Sequence, residues 1–218
     1  MPTARSILVS GSQQDVYLFS QRLIWNRLNA GDACLYATFS RTREDICADL
    51  AARGWDVTSF LESGVLKIVD YLSLADRKPR TPEERVSILF SIGKEALNPE
   101  RFDQIFARES LAVRQRAPDR RLFIVFDSVD RLIEVLGLEN TILLSKAEVN
   151  GLKGTNSIAV GLLCNEFLSR ETLEVLEKMA SVFIELKQEW KKQNIHRLVR
   201  VTKPKRKRAA TDWMSWYG

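Results

Sequence analysis

The 218-residue sequence predicts an α/β fold: a central, mostly parallel sheet with helices on both faces and an antiparallel edge at its C-terminal end. Three observations predict it. Apolar runs of strand length alternate with stretches of helical period over most of the chain. The run Arg121–Asp127, RLFIVFD, is apolar for five residues and ends on an acid, the pattern of a strand covered on both faces. The last two strand-like runs are joined only by the polar link QEWKKQNIH, which suits a hairpin rather than a crossover.

The first strand is Ser6–Ser10, and Gly11 turns the chain toward a helix over Asp15–Asn29. In that helix Leu18, Leu23 or Arg22, Trp25 and Leu28 recur at helical spacing, and Ala30-Gly31 ends the period. Strand Ala33–Phe39 follows. Thr42 is placed to cap a helix reaching Arg53, with Glu44 and Asp45 in its first turn and Gly54 as its stop. Val65–Asp70 is the third strand. Ser73–Pro82 is polar and reads as a surface loop, before helices at Pro82–Ala96 and Pro99–Ala117. After the Arg121–Asp127 strand come helices around Ser128–Leu136 and Asn140–Leu152, a turn at Gly154–Asn156 and strand Ser157–Leu163. Ser169 caps a helix ending at Ala180, and strands Val182–Lys187 and Arg197–Thr202 close the body.

Composition narrows the class. Apolar residues make up 45% and charged residues 28%, ordinary values for a globular domain of this length. No apolar run reaches the roughly 20 residues of a membrane span, so no membrane role is expected. Cys34, Cys47 and Cys164 are scattered, and Cys34 and Cys164 lie in apolar runs as buried small side chains. His196 is the single histidine and forms no zinc spacing with them. The expectation is a reducing, cytoplasmic protein with no metal and no cofactor. Net charge is +5, but Lys187–Arg208 holds ten Lys or Arg against one Glu, which leaves the rest near −4.

The stretch Ser6–Leu23, SILVSGSQQDVYLFSQRL, has the strand–turn–helix order of a phosphate-binding loop. Together with LIWNRLNAGDACLYATF (Leu23–Phe39), LAARGWDVTSFLESGVLKIVDY (Leu50–Tyr71), RLFIVFDSVDRL (Arg121–Leu132) and VTKPKR (Val201–Arg206), it resembles the KaiC/RadA-like branch of the RecA-type ATPase superfamily nearly end to end. The resemblance implies a three-layer RecA-like fold and a loop of the form GPPGSGKTT. In such a loop glycine N–H groups curl round the phosphates, Lys meets the β- and γ-phosphates, and a hydroxyl binds Mg²⁺.

This chain departs from that pattern at three places. Val16 stands at the Lys position, Tyr17 and Leu18 replace the Thr pair, and the turn is one residue shorter. Asp15 lies on the phosphate approach, where like charges repel. The family's second strand ends in Phe followed by paired acids, whereas Phe39 is followed by Ser40 and Arg41. Asp127 matches the acid that holds Mg²⁺ through water; its structural reading is a cap beside Ser128. Gly11, Asp15 and Asp127 are therefore read as a vestigial nucleotide site, with no catalytic residue. Binding of nucleotide without hydrolysis remains open, because the Asp15–Asn29 helix offers N–H groups at its start. An ATP-dependent enzyme would need a substitute for the Lys, and none is visible.

The strongest local feature is KPKRKR. Lys203, Lys205, Arg206, Lys207 and Arg208 form a candidate nucleic-acid site for DNA or RNA, followed by the aromatic end WMSWYG. A solvated charged tail and a localisation signal are the competing readings. The resemblance adds a third: a K-x-R motif reaching the neighbouring subunit's phosphate, with Lys203 as its Lys and Lys205 in place of its Arg. Trp213, Trp216 and Tyr217 equally suit packing on the body or on a partner. Trp190 is a candidate contact, and the cluster Arg114, Arg116, Arg120 and Arg121 reads as a solvated helix end. The division expected is a core over 1–202 and a basic, aromatic tail over 203–218. The function expected is a non-catalytic pseudo-ATPase: a recombinase-paralogue-like, nucleic-acid-associated subunit, or a scaffold that pairs with an active ATPase of the family or with itself.

Overall fold

The computed structural model describes residues 5–71, 99–191, 194–202 and 212–216. The predicted loop at Ser73–Pro82, the helix at Pro82–Ala96, the basic run Lys203–Arg208 and Tyr217 lie outside the described residues.

One eight-stranded sheet organises the described residues, in the order β3-β2-β4-β5-β1-β6-β7-β8. Its strands are β1 (Arg5–Gly11), β2 (Ala33–Thr38), β3 (Leu66–Asp70), β4 (Leu122–Asp127), β5 (Ser157–Cys164), β6 (Val182–Lys191), β7 (Asn194–Thr202) and β8 (Met214–Ser215). The first six run parallel, β1 pairing with both β5 and β6; β7 and β8 turn the edge antiparallel. The helices are α1 (Gln13–Asn29), α2 (Arg43–Ala52), α3 (Thr58–Glu62), α4 (Pro99–Arg116), α5 (Val129–Leu136), α6 (Leu138–Gly151) and α7 (Arg170–Met179). This is the α/β, RecA-like architecture expected.

Local chemistry accounts for the ends of these elements. Thr42 caps α2 by accepting from the Asp45 N–H, and the Asp45 carboxylate in turn accepts from the Thr42 N–H. The Ser169 hydroxyl accepts from the Thr172 N–H at the start of α7. In β2 all six residues are buried, as a central parallel strand demands. Cys34 and Cys164 are buried. Phe39, Tyr71, Phe102, Phe106 and Phe126 stack in one aromatic column beside the β2–β4 strands.

Two expectations need correction. The link Gln188–His196 is strand over most of its length, because β6 and β7 pair from Phe183–Thr202 out to Lys191–Asn194. The ribbon lies toward the edge of the sheet, so Trp190, Ile195 and His196 stay exposed while the backbone pairs. The proposed tail at 203–218 is not wholly separate from the 1–202 core. Met214 and Ser215 pair with Val199 and Leu198, the Trp216 N–H donates to the Arg197 carbonyl, and the Trp216 ring meets Phe19 edge-on.

Candidate functional site

β1 delivers its C-terminal end to the start of α1, where nucleotide-binding folds of this kind hold phosphate. Here the connection is a single residue. Gly11 ends β1, Ser12 caps α1, and Asp15 to Leu18 are all buried. A Cβ on Gly11 would lie 2.9 Å from Leu186 Cβ and 3.2 Å from the Leu186 carbonyl oxygen. Gly11 is thus a packing glycine that lets β6 close over the turn, rather than part of a phosphate cradle.

Asp15 is 1% exposed. The Ser12 hydroxyl donates to Asp15 Oδ2 at 2.9 Å and accepts from the Asp15 N–H at 3.2 Å. Gln188 Nε2 on β6 donates to Asp15 Oδ1 at 2.8 Å, and Arg197 Nε on β7 reaches the same oxygen at 3.2 Å. The expected repulsion between Asp15 and an arriving phosphate is therefore only part of the change. The carboxylate is an internal anion that takes up a cation and an amide from the C-terminal ribbon, beside the helix N-terminus.

Asp127 ends β4 and is 5% exposed. It does not cap α5: Ser128 is the N-cap residue and makes no side-chain cap bond. Instead Asp127 Oδ2 accepts from the Tyr36 hydroxyl at 2.6 Å, and that hydroxyl lies 3.3 Å from Ser20 Oγ on α1. Burial raises the Asp127 carboxyl above the ordinary range, opposed by the Tyr36 bond. Asp130, 2% exposed, is raised for the same first reason while its Oδ1 accepts from the Cys164 N–H at 2.9 Å.

The positions after β2 are closed as well. The Arg41 guanidinium lies 3.6 Å from the Tyr17 ring centre, and its Nη1 is 3.5 Å from Asp49 Oδ2. The Tyr17 hydroxyl donates to that same Asp49 oxygen at 2.8 Å. Desolvation and the Asp49 bond push the Tyr17 phenol well above its ordinary value. The space left between Tyr17, Arg41, Asp127 and Asp130 is about 20 Å³. That is room for about one water, whereas small-molecule sites span roughly 300–1,000 Å³. Mg²⁺–ATP does not fit the residues that line this space: they include no Lys, their hydroxyls are those of Tyr17, Ser40 and Ser128, and the one matching acid, Asp127, is engaged by Tyr36. Among the described residues no group of three or more His, Cys, Asp or Glu is placed to hold a metal.

Gly11 and Asp15 thus flank the start of α1 and pack toward β6 and β7, whereas Asp127, two strands away on β4, is turned to Tyr36 on β2. Lys203, Lys205, Arg206, Lys207 and Arg208 lie outside the described residues. Two of the tail aromatics meet the body: the Trp213 ring lies 4.3 Å from Lys187 Nζ and 4.9 Å from the Arg200 guanidinium, and Trp216 is against Phe19. Trp190 stays 74% exposed on the ribbon. Arg114 of the expected solvated cluster instead reaches the Ser157 hydroxyl. Sequence reasoning missed Gln188, Arg197, Tyr36 and Asp49. Each is distant from its partner along the chain, and only a buried acid without a local base hinted that a remote donor existed.

The comparisons agree with this fold. The chain is similar to UPF0273 protein PF1931 of Pyrococcus furiosus, at 26% identity over 87 residues, which is 39% of this chain and 35% of that protein. It thus spans about a third of the length of the curated relative it matches. The KaiC-like protein PH0186 of Pyrococcus horikoshii OT3 superposes over 99% of this chain and 86% of its own, with a TM-score of 0.68 at 17% identity. The flagellar accessory protein FlaH of Methanocaldococcus jannaschii does so over 93% of this chain and 80% of its own, with a TM-score of 0.62 at 16% identity. At such identities the two structures speak for the fold alone. Among the described residues no helix is long and apolar enough to cross a membrane. A model of the KaiC ATPase family matches residues 1–214, and the chain belongs to that family.

Proposed function

We propose that this chain is a non-catalytic member of its family, a pseudo-ATPase that acts as a binding or regulatory subunit. The observation that carries the reading is Asp15, held by Gln188 and Arg197 beside the α1 N-terminus, where a working member would hold phosphate. Direct turnover of Mg²⁺–ATP and equilibrium binding of a fluorescent ATP analogue test it. Neither hydrolysis nor saturable binding is expected, and Asp127→Asn should change nothing. Turnover that Asp127→Asn abolishes overturns the reading.

The partner proposed first is a nucleic acid, engaged through Lys203, Lys205, Arg206, Lys207 and Arg208. In sequence the run follows β7 directly, and the described residues of β6 and β7 gather two further cations, Lys187 and Arg200, around Trp213. The mildly acidic body makes a positioned basic segment a better account than general stickiness. The test is titration of labelled single- and double-stranded DNA at several salt concentrations. The control is a variant with all five cations changed to Ser. That variant is preferable to a chain ending at Thr202, which would also lose β8 and the Trp216–Phe19 contact. Neutralising five phosphate contacts predicts a log–log salt slope up to about −3.5 for single strands, lost in the variant. Equal binding by the two proteins, or none at low salt, refutes it.

One observation favours a second reading, a scaffold for an active family ATPase. Trp190 and Ile195 are a directly paired couple on the β6–β7 ribbon, 74% and 42% exposed. FlaH, similar in fold, is named an accessory protein. Co-elution with a related ATPase, lost in Trp190→Ser, would support this reading, and independent elution would refute it.

A further inference from the structure

A second cavity, of about 380 Å³, lies between the sheet and helices α5, α6 and α7. Leu8, Phe126, Leu132, Leu144 and Leu176 give it apolar walls. It is more than twice the roughly 150 Å³ of an apolar hole that takes up benzene, so on the same scale it holds a chain of about ten carbons with room to spare. α6 turns into β5 and α7 turns into β6, so both helices end beside the N-terminal ends of their strands. The cavity reaches that edge of the sheet at Ser6, near the start of β1, whereas the start of α1 lies at the other edge.

Three lysines line the cavity, and all three are exposed. Lys178 is in the last turn of α7, Lys153 follows the end of α6, and Lys146 lies two turns before Lys153. Among the described residues none of them pairs with an acid, whereas Lys67 meets Glu109 at 3.1 Å and Lys187 meets Glu189 at 2.6 Å. Two helix C-termini carry about −0.5 charge each, so three lysines leave an excess of about +2. The other polar side chains do not offset it. Ser145 and Asn150 are neutral, and the Ser6 hydroxyl already accepts from the Ser181 N–H at 3.1 Å. Glu148 is the one acid in the wall. Burial, a hydrogen bond with the Asp103 carboxyl and the like charge of Asp103 push it up to about 8, so near neutral pH it is mostly protonated and adds little negative charge. Asp103 itself is exposed on α4 and does not line the cavity.

We propose that this cavity binds a medium-chain carboxylate, a fatty-acid-like anion whose hydrocarbon chain lies among Leu8, Phe126, Leu132, Leu144 and Leu176 and whose carboxylate is held at the mouth by Lys146, Lys153 and Lys178. The chain supplies hydrocarbon that the walls leave out, at the usual gain for each methylene removed from water. The lysine stems extend the apolar lining outward while their ammonium groups stay in water, which suits an occupant that is apolar within and anionic at one end. The charge excludes a cationic amphiphile and the apolar walls exclude a small hydrophilic anion. The site is independent of the start of α1 and of the reading proposed for it.

The test is calorimetric titration of the full chain at neutral pH with decanoate, with decyltrimethylammonium as the same chain under the opposite charge, and with acetate as the head alone. Saturable binding of one decanoate per chain is expected, about tenfold tighter than the ammonium, with no saturable binding of acetate. The triple variant Lys146→Gln, Lys153→Gln, Lys178→Gln changes only exposed side chains; checked for folding by circular dichroism, it lowers decanoate to the level of the ammonium. Changing the five cations at 203–208 to Ser leaves decanoate binding as it was. No saturable decanoate binding overturns the proposal, as does equal affinity for the two amphiphiles. A preference that survives the triple variant, or one lost with the cations at 203–208, also overturns it, because the anion then sits elsewhere.

Discussion

Replacing Asp15 by Ala removes the anion on which three elements converge. Gln188 Nε2 at 2.8 Å and Arg197 Nε at 3.2 Å both lose their acceptor, and Ser12 loses its capping reciprocity with Asp15. Taking one partner from a fully buried ion pair costs about 3–5 kcal/mol. The Arg197 side chain is 26% exposed against 1% for Asp15, so the stranded cation recovers part of its hydration. A loss of about 2–3 kcal/mol follows, chiefly from charge-assisted bonds left unmade. In urea the unfolding midpoint should fall by about 1 M with an unchanged slope. The melting temperature should fall by roughly 5–10 °C. Arg197→Ala in both backgrounds measures the coupling, expected at about 1 kcal/mol or more. A loss below about 0.5 kcal/mol for Asp15→Ala would show that the carboxylate is not the anchor described, and the same geometry would then say nothing about phosphate.

Three further outcomes follow from the packing. Gly11→Ala presses a methyl against Leu186 Cβ and carbonyl, neither of which is a flexible tip, so thermal unfolding should show a loss of about 1–3 kcal/mol. Tyr36→Phe strips buried Asp127 of its 2.6 Å donor and should cost a similar amount in denaturant titration; an unchanged midpoint would mean that another donor takes its place. Glu148, with its folded pKa raised from 4.5 to about 8, binds its proton more tightly folded than unfolded. Its contribution is fully present below about pH 4.5 and fades as pH rises to about 8, so Glu148→Gln should flatten that stretch of the stability–pH profile, by at most about 5 kcal/mol. A profile identical to wild type would place the proton elsewhere.

What the sequence reveals and conceals here divides by range. Thr42 and Ser169 are legible as caps because a cap and its N–H are three residues apart. The strand Leu122–Asp127 is legible because burial on both faces imposes its own composition. The missing Lys and the Ser40–Arg41 replacement are likewise visible from the residues themselves. The contacts that fill the gap are not. Asp15 meets Gln188 and Arg197, and Asp127 meets Tyr36, only after the sheet has assembled, and no local pattern selects those partners. β8 is two residues long and has no periodicity to detect; its pairing with β7 is a tertiary event. Glu148 carries a signal in its spacing from Thr141 and Leu144, but an acid at the wet margin of the same helix stripe has that spacing too.

The strand order carries a consequence for synthesis. β1 emerges first, yet its two neighbours are β5 and β6, and Arg197 lies 182 positions after Asp15. At the usual 5–20 residues per second, a nascent chain waits roughly 10–40 s between making that acid and making its base. Until β5 follows it, β1 is an apolar ribbon with both edges unpaired, and the ribosome-bound protein presents a templating surface that the finished molecule conceals.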